Sequence, residues 1–266
     1  MLLDLQSQAM ALHILSLETS SACCGVALLR ADETGAVDLY CREHVGVQEH
    51  SARLLPMVEE VLAEAGIARS ALDAIAFGQG PGGFTGLRVA CGVAQGLGFS
   101  LGRPLVPVVS HAAVAEQVED DAGRALVVAM DARMEEIYLA AYRKRDEGRL
   151  ETLIAPQLMA CAGLEPWIRA QIAELADGAS LLLCGDGACA YPHAFSGFAL
   201  HERGEPERPT AASVARLAHA AFLRNETVAP ELAAPLYVRD KVAFTTVERQ
   251  AGAGGNPRVS APAGQP

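Results

Sequence analysis

The sequence contains no C-x-x-C pair, although it carries seven cysteines. They are scattered and odd in number, and two of them, Cys23 and Cys24, are adjacent, so neither a zinc ribbon nor a disulfide framework is expected. Small buried hydrophobes in a reducing, cytoplasmic setting account for them. There is no G-x-S-x-G elbow either, which removes one common hydrolase signature. No histidine pair stands one helical turn apart: the position after His111 on its helix is Ala115, and His44 and His50 flank a strand-to-helix turn. No metal site is therefore expected, and these histidines are assigned capping or surface roles. No Lys-Ser or Lys-Thr follows the glycines of residues 78–86, where Leu87-Arg88 stand instead, so a Walker loop fails. Positive charge is short as well. A net charge of −11 repels phosphate backbones and argues against strong nucleic-acid binding by this chain alone. The first 21 residues show no basic leader, and polar residues interrupt their apolar ones, so neither a signal peptide nor a membrane span is expected.

What is present is enough for a large core. Half of the 266 residues are apolar and a fifth are charged, which fits one two-lobed domain or two small ones. Residues 1–12 read as an extension, with Met10 as an alternative start. Residues 13–121 form a first lobe and 122–247 a second, reduced one, with the helix at 211–224 free to return to the first. From 248 to 266 the chain is Gly, Ala and Pro without periodicity and reads as disordered.

The chain is organised around Ala74–Gly98. A short buried strand, Ala74–Phe77, leads into a glycine-crowded loop, and an apolar helix opens near Thr85. Before it, His13–Leu17, Gly25–Arg30 and Leu39–Val45 read as strands, and Ser51–Ala65 as a helix with Leu54, Val58, Val61, Leu62 and Ala65 on one face, stopped by Gly66. Strand Leu105–Val109 and helix Ala112–Val118 follow. The order β-β-β-α-β-α-β-α predicts a mixed five-stranded sheet with helices on its faces. The pattern partly restarts with a hairpin of Ala125–Met130 and Ile137–Arg143, then helix Leu164–Leu175, strand Ser180–Cys184, and helix Ala211–Arg224 capped by Thr210. Pro235–Val247 reads as short and extended.

Three stretches carry candidate chemistry. The loop residues Gly80, Gly82, Gly83, Thr85, Gly86 and Arg88 can bring bare backbone N–H groups close to an anion or to another chain. Gly78-x-Gly80-x-x-Gly83 meets the dinucleotide fingerprint by letter, but Pro81 sits inside it and no acid ends the next strand. Glu18-Thr19-Ser20 ends the first strand; such a group can hold a metal–nucleotide, or it is an ordinary polar hairpin. Asp131-Ala132-Arg133 can be catalytic, a salt-bridged turn or a partner contact, and Arg143-Lys144-Arg145 reads as a solvated hairpin end.

ILSLETSSACCGVALL, HSARLLPMVEEVL, GPGGFTGLR, AMDARMEEIY, GDGA and PLYVRD appear in that order. Together they resemble the landmarks of the TsaB (YeaZ) family over residues 13–247, the glycine-loop motif being the most specific. Glu18 stands where that family has Asp, Gly83 where it has Ser, and His111 where a non-histidine is common. The resemblance implies a two-lobed actin-like ATPase fold (sugar-kinase-like, ribonuclease H-like) with its second lobe reduced and its nucleotide site, Glu18, Thr19 and Ser20, vestigial. It implies a non-catalytic subunit in the formation of N6-threonylcarbamoyladenosine beside the anticodon of tRNAs reading codons that begin with A. ATP and metal then belong to the partners, a TsaD-type catalytic subunit and a TsaE-type ATPase, and tRNA is met only through the complex. Pairing, with a partner or as a homodimer, is expected through the two early helices, at Leu54, Val58, Leu62, Leu87, Ala90, Cys91 and Ala94. The contrasting reading is a stand-alone actin-like ATPase, kinase or metallopeptidase built on Glu18 and the glycine loop.

Overall fold

The computed structural model describes residues 11–46, 49–119, 123–145, 149–175, 180–199 and 204–239. The expected disorder of 248–266, nearly all of the expected 1–12 extension, and the second half of Pro235–Val247 lie outside the described residues.

Strands β1 (Leu12–Glu18), β2 (Cys23–Ala31) and β3 (Val37–Val45) meander antiparallel, and β4 (Ala74–Gly80) and β5 (Leu105–Val109) join in parallel. The sheet order is β3-β2-β1-β4-β5, the mixed five-stranded sheet that the element order predicts. Its central strands are buried on both faces, because helices cover both. On one side lie α1 (His50–Ala65) and α2 (Phe84–Leu101), with Leu15, Leu17, Val26, Leu28, Ile75 and Phe77 beneath them. On the other lie α3 (Ser110–Glu116) and α6 (Ala211–Leu223), against Ile14, Ala27, Leu29 and Ala76. A late helix thus closes the first lobe's core. It begins on a capping box in which the Thr210 side chain accepts from the Ser213 N–H, while the Ser213 side chain accepts from the Thr210 N–H.

The second lobe repeats the opening on a smaller scale. β6 (Ala125–Asp131), β7 (Glu136–Lys144), β8 (Leu150–Ala160) and β9 (Leu181–Cys184) form a sheet of order β8-β7-β6-β9, with α4 (Leu164–Leu175) packed on it and the short α5 (Gly187–Ala190) after β9. The sequence pattern does not announce β8. Its run, LETLIAPQLMA, contains Pro156, which argues against a central strand; β8 is an edge strand, where one missing N–H faces no partner. The charged run after β7 is also less solvated than expected. Arg143 is buried, the Lys144 ammonium donates to the Glu116 carbonyl at 2.8 Å, and only Arg145, paired with Glu151, behaves as a hairpin end.

Seven free cysteines are present and five of them are buried, in keeping with their reading as small hydrophobes. Among the described residues no helix is long and apolar enough to cross a membrane.

Candidate functional site: the cleft between the lobes

The glycine loop is seated on its own chain. It closes on the β1–β2 turn of its own chain: the Gly83 N–H donates to the Ser20 carbonyl at 2.7 Å and the Gly80 N–H to the Ser110 hydroxyl at 3.2 Å. Pro81 has no N–H to offer. A Cβ on Gly82 would lie 2.6 Å from the Ser20 carbonyl oxygen, and one on Gly86 only 1.8 Å from that of Thr19. Gly82 and Gly86 are therefore explained by close approach to backbone within the first lobe, and two of the loop's amides, those of Gly80 and Gly83, are engaged by the chain itself.

Glu18, Thr19 and Ser20 are all buried. Glu18 lies under Gly78, where a Cβ would collide with its carboxylate, and accepts from the Ser20 N–H at 2.5 Å and the Ser110 hydroxyl at 3.3 Å. Burial raises its carboxyl above the ordinary range, against hydrogen bonds from Ser20, Ser110 and Thr19 that hold it down. The Thr19 hydroxyl donates to the Gly86 carbonyl at 2.7 Å, tying the turn to the first turn of α2. These residues brace the loop. Only Ser20 reaches the cleft wall, and its hydroxyl is buried without a protein partner.

His111 is not a surface or capping residue, as the sequence suggests. It is fully buried, and its Nε2 lies 3.0 Å from the Tyr138 carbonyl, joining α3 to the second lobe. Ala115, one turn on, is equally buried and has no ligand atom. Burial lowers the His111 pKa to about 4. Because the folded value lies below the unfolded one, this stability is present above about pH 6.5 and lost as pH falls toward 4. It is on the order of 3 kcal/mol. Glu18, with its raised value, works in the opposite direction over the acid side of that window. Chemical denaturation of wild type and His111→Gln between pH 7 and 4 should show the stability gap narrowing with acid; a constant gap refutes a neutral buried imidazole.

The second lobe supplies the other wall. Arg133 pairs with Asp131 at 2.9 Å, so the salt-bridged reading of Asp131-Ala132-Arg133 holds. Arg133, Met134 and Glu135 take φ of 65°, 65° and 60°, three consecutive side-chain-bearing residues in the left-handed region. The turn is held from below: the Asp186 carboxylate accepts from the Asp131 N–H at 2.9 Å, and the Tyr191 hydroxyl donates to Asp131 at 3.0 Å. Burial, then the Asp131 charge, raises Asp186 above the usual carboxylate range. Cys161, whose N–H donates to the Glu135 carbonyl at 2.9 Å, has its thiol pushed up to about 11 by burial and by the Glu135, Asp131 and Glu136 charges. It is an unactivated thiol, not a nucleophile.

A strap from Pro235 to Arg239 crosses from one wall to the other. The Leu236 N–H donates to the Gln79 carbonyl at 2.7 Å, and Arg239 bonds the Ala132 carbonyl at 2.9 Å and pairs with the buried Glu136. Arg88 is exposed; its guanidinium stacks 3.4 Å from the Phe84 ring centroid and donates to the Tyr237 hydroxyl at 2.9 Å. What remains between the lobes is a cavity of about 380 Å³. Its arginines at 133 and 239 are each engaged by a carboxylate. On its glycine wall the Gly83 amide is engaged by the Ser20 carbonyl.

The expected docking residues need correction. Leu54, Val58, Leu62, Leu87, Ala90, Cys91 and Ala94 are all buried, in the first lobe or against it, with exposures from 0% to 4%. Six of them belong to the core beneath α1 and α2, and Leu87 lies under Gly80. The apolar stripe that periodicity picks out is the stripe the chain buries for itself. The outward faces carry Leu55 and Phe99, 50% and 60% exposed, and Gly92 and Gly96, where an added methyl would meet nothing within 4 Å. Ser110, Tyr191 and Arg239 also shape the cleft; each acts across a long chain separation that no local sequence pattern records.

The profile described as "TsaD: tRNA N6-adenosine threonylcarbamoyltransferase" matches residues 43–245. The tRNA threonylcarbamoyladenosine biosynthesis protein TsaB of Escherichia coli K12 is 31% identical over 241 residues, covering 88% of this chain and 97% of that protein. The protein of the same name from Haemophilus influenzae is 42% identical over 131 residues, 48% of this chain and 53% of its own length. The solved structure of YeaZ from Pseudomonas aeruginosa superposes with a TM-score of 0.70 at 34% identity, covering 85% of this chain and 99% of that one. Two sheets flank a cleft, the two-lobed arrangement that the sequence motifs lead one to expect. A profile spanning most of the sequence and a relative matched almost end to end agree with the motifs and the fold: the chain belongs to the TsaB (YeaZ) family.

Proposed function

We propose that this chain, as a member of a family of tRNA threonylcarbamoyladenosine biosynthesis proteins, serves that cytoplasmic pathway as a non-catalytic scaffold and activator of a TsaD-type catalytic subunit, alongside a TsaE-type ATPase. The observation that supports it best is the burial of Glu18 under Gly78, with the Gly83 and Gly80 amides of the glycine loop turned to Ser20 and Ser110 of the same chain. Chemistry on a nucleotide needs those groups facing a ligand. The docking surface in this reading is the outward side of α1 and α2, used with the catalytic partner or in a homodimer; tRNA is contacted through the complex, in line with the net charge of −11.

Reconstitution of the tRNA modification from purified TsaD-type and TsaE-type subunits tests this. Omitting the chain should abolish modified product, and restoring it should recover product in step with complex formation. Robust ATP or peptide hydrolysis by the chain alone, supplied with divalent metal, would replace this reading with the stand-alone enzyme.

A further inference from the structure

We propose that Glu135, Cys161 and His193 form a site for one borderline-soft divalent cation of the zinc class. The three come from separate places: Glu135 from the β6–β7 turn, Cys161 from just beyond β8, and His193 from the 3-10 turn Pro192–Phe195 that follows α5. Their ligand atoms nevertheless all lie within 4.8 Å of one another. The His193 Nε2 is 3.0 Å from a Glu135 carboxylate oxygen. Sulfur, imidazole nitrogen and carboxylate oxygen are together the donor set of zinc-type centres, and three protein ligands leave a fourth position for water.

Two features suggest that the cluster is built and not incidental. Glu135 is the last of three left-handed residues, and its carbonyl is pinned by the Cys161 N–H at 2.9 Å, so the costly backbone that aims Glu135 is fixed to the residue supplying the thiol. The ring of Tyr191 packs edge-on to His193 with centroids 6.2 Å apart, and the Tyr191 hydroxyl is anchored on Asp131. The Glu135 carboxylate beside the thiol and imidazole supplies negative charge that favours a cation. An exposed Glu–His pair alone would contribute little to stability and would explain neither the converging sulfur nor the left-handed run. Bound metal would clamp the Arg133–Glu135 turn that forms one wall of the cleft. The site is independent of the proposed scaffold role.

Cobalt(II) titration of the full chain tests it, because a thiolate ligand gives a charge-transfer band. One equivalent should bind with that band, and zinc should displace it. His193→Ala and Glu135→Gln change exposed side chains and leave the core intact; each should weaken binding by at least about tenfold, the scale of loss seen even for groups one step removed from a metal. Cys161→Ser should abolish the band, while Cys189→Ser should not. Absence of the band, its survival in Cys161→Ser, or unchanged affinity in both His193→Ala and Glu135→Gln overturns the assignment.

Discussion

Gly86→Ala should lower the melting temperature by roughly 10 °C, or prevent folding, whereas the same change at Gly92 or Gly96 on the same helix should raise it. The new methyl at 86 would sit 1.8 Å from the Thr19 carbonyl oxygen, a backbone atom that cannot rotate away. Relieving it must also part the Thr19 hydroxyl from the Gly86 carbonyl, a buried bond of 2.7 Å. Overpacking costs about 1–3 kcal/mol where side chains can adjust, and the lost bond about 1 more. For a chain this size each kcal/mol moves the midpoint by about 2–4 °C. At Gly92 and Gly96 a methyl meets nothing within 4 Å, so the change only removes backbone entropy from the unfolded chain, a gain of about 0.5–1 kcal/mol each. Thermal melts of the three variants decide it. Equal melting of Gly86→Ala and wild type would mean that the loop is not seated on the Thr19–Ser20 turn.

That contrast shows what sequence can and cannot disclose. Periodicity and turn residues locate α4 and four strands of the first sheet within two residues, since these signals are local; β4 runs three residues further, to Gly80, into the expected glycine loop. Glycines at 82, 86, 92 and 96 look alike as letters; only the Ser20 and Thr19 carbonyls separate those that must be bare from those that merely are. His111 misleads for the same reason, its partner being the Tyr138 carbonyl on the other lobe. The glycine loop is legible as a place of close approach, but what approaches is the chain's own β1–β2 turn. Glu135, Cys161 and His193 show no ligand spacing because a turn, a strand end and a 3-10 turn bring them together.

The docking surface obeys the same logic, and it fixes the second large effect. An amphipathic helix announces its apolar face, and in α1 and α2 that face is consumed by the chain's own sheet. Ala94 is fully buried in that core, so Ala94→Arg must force a guanidinium among Leu, Val and Phe side chains without a carboxylate partner. The penalty is expected to exceed about 3 kcal/mol, enough to unfold much of the protein in dilute denaturant. Leu55→Arg and Phe99→Arg put the same charge on the outward faces, where the wild-type side chains are already half or more exposed. Their stability should stay within about 0.5 kcal/mol of wild type, while association with a TsaD-type partner, or with a second copy, should weaken at least tenfold, about 1.4 kcal/mol. Denaturation curves read beside sedimentation of the mixed chains separate the two effects, because a partner lost through unfolding and a partner lost from a folded surface differ in the first measurement. Full assembly of both Leu55→Arg and Phe99→Arg would move the contact off these helices.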